Sequence, residues 1–295
     1  MEGKMRFFIA DAFTDCLFSG NPAGIVLIDA QSDFPSDEVM RKTAAELRYS
    51  ETAFIKEVGE KEFHTRYFTP MAEVDLCGHA TIGAFSALSR EGIIKPRETY
   101  INYTLAGAIS IEVGEGVIFM DMAEPQEILL MDSKEDIAEL YTLMGISSED
   151  LYSTDGTKLL PRIISTGLPD IMLPVKDEDQ LNAILPDFKA LSALSERYHV
   201  VGVHAFAAKS ADGNIHCRNF APLYGIDEES ATGTSNGALT YYLYLNNMIE
   251  KDSVIQFTQG EAMGRPSKIV GRFGPDGKIQ IGGTAVILAS GDIAI

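Results

Sequence analysis

The sequence predicts an α+β protein of two pseudo-symmetric halves, each a sheet wrapped around one central α-helix. The first reason is an internal repeat. Phe68-Thr69-Pro70 precedes Cys77-Gly78-His79-Ala80-Thr81, and Phe220-Ala221-Pro222 precedes Thr232-Gly233-Thr234-Ser235-Asn236. Phe54 stands 14 positions before Phe68, Phe206 stands the same 14 before Phe220, and Asn21-Pro22 answers Leu168-Pro169. The second reason is the abundance of short β-branched or alternating runs bounded by Gly, Pro, Asn and Asp, the pattern of strands. The third is that two helical segments are apolar on more than one side, as helices enclosed by sheet must be.

In chain order, strands are expected at Arg6–Phe13, Ala23–Asp29, Thr52–Val58, Phe63–Phe68, Tyr100–Thr104, Ile109–Val113 and Val117–Met122. Helical spacing places Met40, Ala44 and Leu47 on one face of Ser36–Leu47, and Ile82, Phe85 and Leu88 on one face of His79–Leu88. The acidic stretch Glu124–Gly145 reads as a linker ending in a helix, Lys134–Met144. The second half then offers strands at Pro161–Ser165, Asp170–Pro174, Gly202–Ala208, Ile215–Phe220, Val254–Gln259, Lys268–Gly271 and Lys278–Leu288, with helices at Phe188–Tyr198 and Thr234–Met248. The expected division is 1–124 and 125–278, with 279–295 packing back onto the first half.

The 295 residues, 45% hydrophobic and 23% charged, supply two ordinary cores. A net charge of −19 repels phosphate backbones, so no nucleic-acid partner is expected. Runs of about 18 apolar residues are lacking, so no membrane span is expected. The lead Met1-Glu2-Gly3 enters a strand rather than a signal peptide, and three cysteines make no disulfide framework; a cytoplasmic protein is expected. No close Cys/His spacing suggests a metal, and neither a P-loop nor a dinucleotide fingerprint is present, so no cofactor is expected.

An anionic substrate must therefore find a local site on an acidic protein. Cys77-Gly78-His79 and Thr232-Gly233-Thr234 both open central helices, where backbone N–H groups and the helix dipole make an anion cradle. The same glycines could instead only begin a helix against a crowded sheet. Glu51, entering an apolar strand, suits a proton shuttle because drying favours its neutral form; a strand-end carboxylate is the plainer reading. His79 at a helix start would hold a neutral ring able to give or take one proton, or would face solvent. Glu229 is either a cap for the second helix or a group facing Glu51 across a cleft.

The ordered motifs Gly20-Asn21-Pro22-Ala23-Gly24, Ser50-Glu51-Thr52-Ala53-Phe54, Phe68-Thr69-Pro70 with Gly78-His79-Ala80-Thr81, Glu229-Ser230-Ala231-Thr232-Gly233-Thr234, and Gln259-Gly260 with Gly264-Arg265-Pro266-Ser267 resemble the phenazine biosynthesis PhzF-like family. The resemblance covers nearly the whole chain. It implies the diaminopimelate epimerase-like fold, in which each half is a mixed β-barrel-like sheet around its helix, and a cofactor-independent isomerase with its site in the cleft between halves. Carried over by motif, Glu51 is the proton shuttle, assisted by His79, with Glu229 in place of an aspartate and Thr234 in place of a serine. Asn21, Cys77, Gly78, Gly233 and Thr234 are then the expected contacts of a small carboxylate substrate. Homodimers are common in the family, so a homodimer is the assembly implied.

The wider fold's epimerases use two cysteines, one before each helix-start glycine. This chain has Cys77 in one place and Thr232 in the other, and a threonine hydroxyl is far too weak an acid for that role. An epimerase using Cys77 alone and a catalytically silent binding protein are the rival readings.

Overall fold

The computed structural model describes residues 4–148, 153–154, 157–208 and 210–295, so the N-terminal lead lies outside the described residues. The chain divides into two units, Met1–Asp121 with Gly282–Ile295, and Met122–Ile281.

The first unit runs β1 (Lys4–Ala12), β2 (Asn21–Leu27), α1 (Asp37–Leu47), β3 (Thr52–Gly59), β4 (Glu62–Phe68), β5 (Glu73–Val74), α2 (Gly78–Arg90), β6 (Glu98–Thr104), β7 (Gly107–Val113) and β8 (Ile118–Asp121). β1 pairs antiparallel with β2 and with the C-terminal strand Ala285–Ala294. β2 lies parallel to β3, β3 antiparallel to β4, and β4 parallel to β6, from which β7 and β8 return antiparallel. Around this sheet α2 touches β1, β2, β3, β8 and the C-terminal strand. Its Gly78 to Phe85, Ala87 and Leu88 are buried on every side, which explains the all-round apolar sequence. Gly83 makes that approach close: a Cβ there would sit 3.1 Å from Ile25 and 3.2 Å from Ala10.

The second unit continues with β9 (Gln126–Leu130), α3 (Lys134–Leu143), β10 (Ser153–Thr154), β11 (Thr157–Lys158), β12 (Arg162–Ser165), β13 (Pro169–Val175), α4 (Glu178–Asn182) and α5 (Phe188–Tyr198). It then runs β14 (Val203–Ala207), β15 (Ile215–Ala221), β16 (Ile226–Glu229), α6 (Gly233–Leu245), β17 (Ser253–Gln259), β18 (Ser267–Phe273) and β19 (Ile279–Gly283). β13 is parallel to β14, β14 antiparallel to β15, and β15 parallel to β17, which pairs antiparallel with β18. That order repeats the first unit strand for strand, with α6 in the place of α2. The repeat reaches the side chains. Arg66 forks onto Glu73 at 2.7 and 2.5 Å and lies over the Phe68 ring. Arg218 forks onto Glu228 at 2.8 and 2.8 Å and lies over Phe220.

Hydrogen-bond register corrects one landmark. Phe68 faces Thr52 and Phe220 faces Val203, so Phe54 faces Arg66 whereas Phe206 faces Cys217. The two phenylalanines read as equivalent are therefore one residue out of step. Gly24 N donates to Glu51 O and Ile171 N to Gly202 O, which makes Gly202 the counterpart of Glu51. The strand expected over Lys278–Leu288 is two, broken at Thr284, whose carbonyl accepts from Phe13 N and Thr14 N. The linker segment contains β9, paired antiparallel with β12. No helix among the described residues is long and apolar enough to cross a membrane.

The second unit also buries a carboxyl group. Ser235 Oγ donates to Asp170 Oδ2 at 2.5 Å, Asn219 Nδ2 donates to Ser235 Oγ at 3.1 Å, and Asp170 Oδ1 is buried without a hydrogen-bond partner. Burial pushes the Asp170 carboxyl from 3.8 up to about 7, against the Ser235 and Gly202 hydrogen bonds that favour its charged form. An unfolded chain releases this proton first. Between the two values the folded state alone still holds it, so this group's contribution to stability falls as pH rises. About 3 pH units at ~1.4 kcal/mol each is ~4 kcal/mol in all, of which about 2 kcal/mol is lost between about pH 5.5 and pH 8. Asp170→Asn is expected to flatten the pH dependence of the urea midpoint by that amount; identical pH slopes for the two proteins would refute the burial argument.

Candidate active site

Four of the described α-helices, α1, α3, α4 and α5, are N-capped by a side chain: Ser36, Ser133, Asp177 and Asp187. The central helices differ. Cys77 before α2 and Thr232 before α6 are extended, give no side-chain cap, and are followed by no acidic residue in the first turn. An N-terminus that its preceding side chain does not cap can offer donors and dipole to an anion.

In the first unit, three sequence-predicted residues meet at this helix start. Glu51 stands immediately before β3, its backbone carbonyl bonded to Gly24 N at 3.4 Å. Its Oε2 lies 3.3 Å from His79 Nε2. The two are not aligned as a hydrogen bond, and Oε2 is buried without any hydrogen-bond partner. Cys77 Sγ lies 3.4 Å from His79 Nδ1 and 3.7 Å from Nε2. Ser50 Oγ is 3.4 Å from Nε2, and Asn21 Nδ2 is 3.1 Å from Nδ1. Burial lowers the His79 pKa, with Glu51 opposing, so the ring is held neutral. An amide of Asn21 donating to Nδ1 puts the ring proton on Nε2, on the side of Glu51. The helix start is fixed from within: Thr81 Oγ1 donates to Cys77 O at 2.7 Å and is 2.6 Å from Tyr67 Oη.

Asn21 is buried against His79 and thus orients the ring, a role the sequence did not suggest. Ser50 also emerges only here: it adjoins Glu51 in sequence, but nothing there tells that its hydroxyl reaches a histidine 29 residues on. His79 is buried, which disposes of the solvent-facing alternative.

In the second unit, Glu229 ends β16 and its Oε2 accepts from Thr232 Oγ1 at 2.8 Å. Gln259 ties this turn together. Its Nε2 donates to Glu229 O at 2.7 Å, and its Oε1 accepts from Asn236 Nδ2 at 2.9 Å. Gly233 and Thr234 are buried in the first turn of α6. Glu229 therefore bonds the side chain of the residue just before the helix. His204 is buried beside Asn219, and burial drives its pKa down to about 3.

Comparison with known proteins identifies the family. The model of the phenazine biosynthesis-like protein family matches residues 10–291. An uncharacterized isomerase of Clostridium acetobutylicum is 33% identical over 310 residues, covering 100% of each chain. The uncharacterized isomerase YddE of Escherichia coli is 30% identical over 304 residues, covering 99% of each. A crystal structure of a PhzF-family phenazine biosynthesis protein from Bacillus anthracis superimposes with a TM-score of 0.85 at 26% identity, covering 99% of this chain and 100% of that one. A hydroxyproline epimerase from Agrobacterium vitis shares the fold alone, with a TM-score of 0.66 at 12% identity over 98% of this chain and 91% of its own. Sequence and fold together place the chain in the phenazine biosynthesis-like PhzC-PhzF family, as an isomerase of the PhzF type.

Proposed function

We propose that this isomerase moves a proton between carbons of a small carboxylate-bearing metabolite, without a cofactor, and that Glu51 carries the proton. The observation that supports this most is the buried Glu51 Oε2, which has no hydrogen-bond partner yet faces a neutral histidine at an uncapped helix start. A buried carboxylate oxygen left in that state is costly unless a substrate completes it. In this reading the substrate's carboxylate binds the first-turn amides at Gly78 and His79. Glu51 Oε2 accepts a proton from an activated carbon while the C–H electron pair moves into the adjoining unsaturation. The amides and the Nε2–H of His79 stabilise the charge that develops there. Glu51 then returns the proton to a different carbon, which restores both enzyme and charge balance.

The test is a panel of small unsaturated and cyclic carboxylates, screened for binding by thermal shift and then incubated with the enzyme in D2O. At least one ligand is expected to lose a C–H signal in the proton NMR spectrum. Ligands that bind while every carbon keeps its hydrogen would overturn the reading in favour of a binding protein. The proximity of Cys77 Sγ to His79 favours one alternative, epimerisation with the thiol as acid or base. A Cys77→Ala variant that still exchanges would exclude it.

A further inference from the structure

We propose that His216 is a positioning residue: as an imidazolium gripped by Glu261 and Asp212, it fastens the turn after Gln259 and so holds the start of α6. The ring stands on β15 and is buried, with a carboxylate oxygen at each nitrogen. Nδ1 is 2.6 Å from Glu261 Oε2, and Nε2 is 3.2 Å from Asp212 Oδ1. A neutral imidazole has one N–H and would turn a lone pair onto one of these carboxylates. Only the imidazolium donates to both. Asp212 is a fixed anion, because bonds from the Asn214 backbone and the Ser210 hydroxyl hold its carboxyl well below the usual range. Of the other ionisable groups on the packed elements, Glu178 in α4 lies 3.9 Å from Nδ1 and Arg218 is forked onto Glu228. Burial keeps the neighbouring Cys217 thiol protonated. Burial alone would lower the His216 pKa, but the bonds to Glu261 and Asp212 outweigh it and the net shift is upward.

Glu261 begins the short 3-10 turn Glu261–Met263, whose flanking Gly260 and Gly264 are both left-handed. β15 and β17 run parallel with Cys217 opposite Gln259, which sets the ring beside the turn that leaves β17. Gln259 in turn holds Glu229 O, Thr232 N and Asn236 Nδ2. Gly260 is pressed against the same segment: a Cβ there would sit 2.6 Å from Ser230 O and 2.5 Å from Arg265 O. Beyond the turn, Ser267 Oγ donates to Ser230 O at 2.7 Å. His216 therefore acts on the α6 start through Glu261 and Gln259. Linkage fixes the sign. Because the closed turn raises the ring's pKa above the ordinary 6.5, the clasp is complete below 6.5 and is lost as pH rises through the raised value. The opening constant of the turn should grow tenfold for each unit of that shift. The clasp stands without the isomerase reading, but its effect on turnover rests on that reading and on Gly233 and Thr234 contacting the substrate.

NMR of histidine-labelled protein reads the ring, with His216 assigned by the signals that His216→Gln removes. A midpoint above 6.5 is expected, moved down by about half a unit or more in Glu261→Gln. A midpoint at or below 6.5 overturns the proposal. Amide hydrogen exchange, corrected for its intrinsic pH dependence, reads the turn at the bonded N–H groups of Met263, Gly264 and Arg265. Their protection, and that of Thr232 N, should fall between about pH 5.5 and pH 8.5 by the factor that the ring's shift sets. Asp170 titrates in the same range, so the step is assigned to the ring by its move to lower pH in Glu261→Gln. Protection that stays level with pH, or a step that does not move in Glu261→Gln, overturns the proposal. With an exchanging ligand in hand, deuterium incorporation should decline through the ring's midpoint, and that decline should be missing from His216→Gln. A decline that persists in that variant overturns the positioning role. If no carboxylate exchanges, the proposed isomerisation fails, and the ring and amide measurements still decide whether the clasp exists.

Discussion

Glu51→Gln is expected to lower solvent-deuterium incorporation into substrate by roughly 10²–10⁴-fold or more, the contribution typical of a positioned acid–base group. The substitution is nearly isosteric. It keeps an oxygen and the backbone bond from Gly24 N, and removes only the capacity to take a proton. It also exchanges a buried carboxylate oxygen that lacks a hydrogen-bond partner for a neutral group, so the fold should lose nothing and the urea midpoint should stay level or rise. Loss of exchange with an unchanged midpoint is thus the expected pair of results. Exchange at the wild-type rate would remove Glu51 from the mechanism. Glu51→Asp adds a geometric control: the carboxylate survives but is drawn back by one methylene, so intermediate exchange would show that reach, as well as proton affinity, matters.

His79 should behave differently from Glu51. Burial lowers its pKa, so the ring stays neutral as pH falls through the ordinary histidine range near 6.5. Exchange should therefore show no loss of activity with a midpoint near 6.5 on the acid side. A limb at that pH, absent from His79→Asn, would mean that the ring titrates as a solvent-exposed imidazole does.

Legibility followed the range of the interactions concerned. Ser36-Asp37-Glu38 announces a helix because a cap and its acidic first turn are local chemistry, and Ser36 Oγ accepts from Val39 N. The central helices were visible because enclosure removes the polar face that any surface helix needs. β9 escaped because all five of its residues are exposed, so no alternation marks it. The break at Thr284 escaped because both flanking strands keep strand-compatible residues, and the interruption is made by donors from distant Phe13 and Thr14. The site divides the same way. Glu51, Cys77 and His79 could each be nominated from the sequence, but not their meeting, since a strand end and a helix start are brought together only by β3 and α2 packing in one unit. The pair Asp170–Ser235 is similarly silent, 65 positions apart.

Gly202→Ala is expected to be strongly destabilising, and the reason lies in the repeat. At the position where the first unit carries Glu51, the second unit has no room for a side chain. A Cβ on Gly202 would sit 1.9 Å from Phe220 O, 2.8 Å from Phe220 C and 3.0 Å from the Cα of Ala221. All three are backbone atoms of β15, so no rotamer change relieves the clash. Relief requires β14 and β15 to part at Val203 and Phe220, the pair that anchors their register. Overpacking commonly costs 1–3 kcal/mol, and a backbone obstacle places this case at about 3 kcal/mol or above. Gly291→Ala is the matched control: its Cβ would meet nothing within 4 Å, and its backbone is not left-handed. The urea midpoint should fall sharply for the first variant and stay within about 0.5 kcal/mol of wild type for the second. A Gly202→Ala protein as stable as the Gly291→Ala control would show that the strands part without cost. The one-sidedness of the repeat would then need a cause other than this contact. If the clash holds, no carboxylate side chain fits at the second unit's counterpart of Glu51.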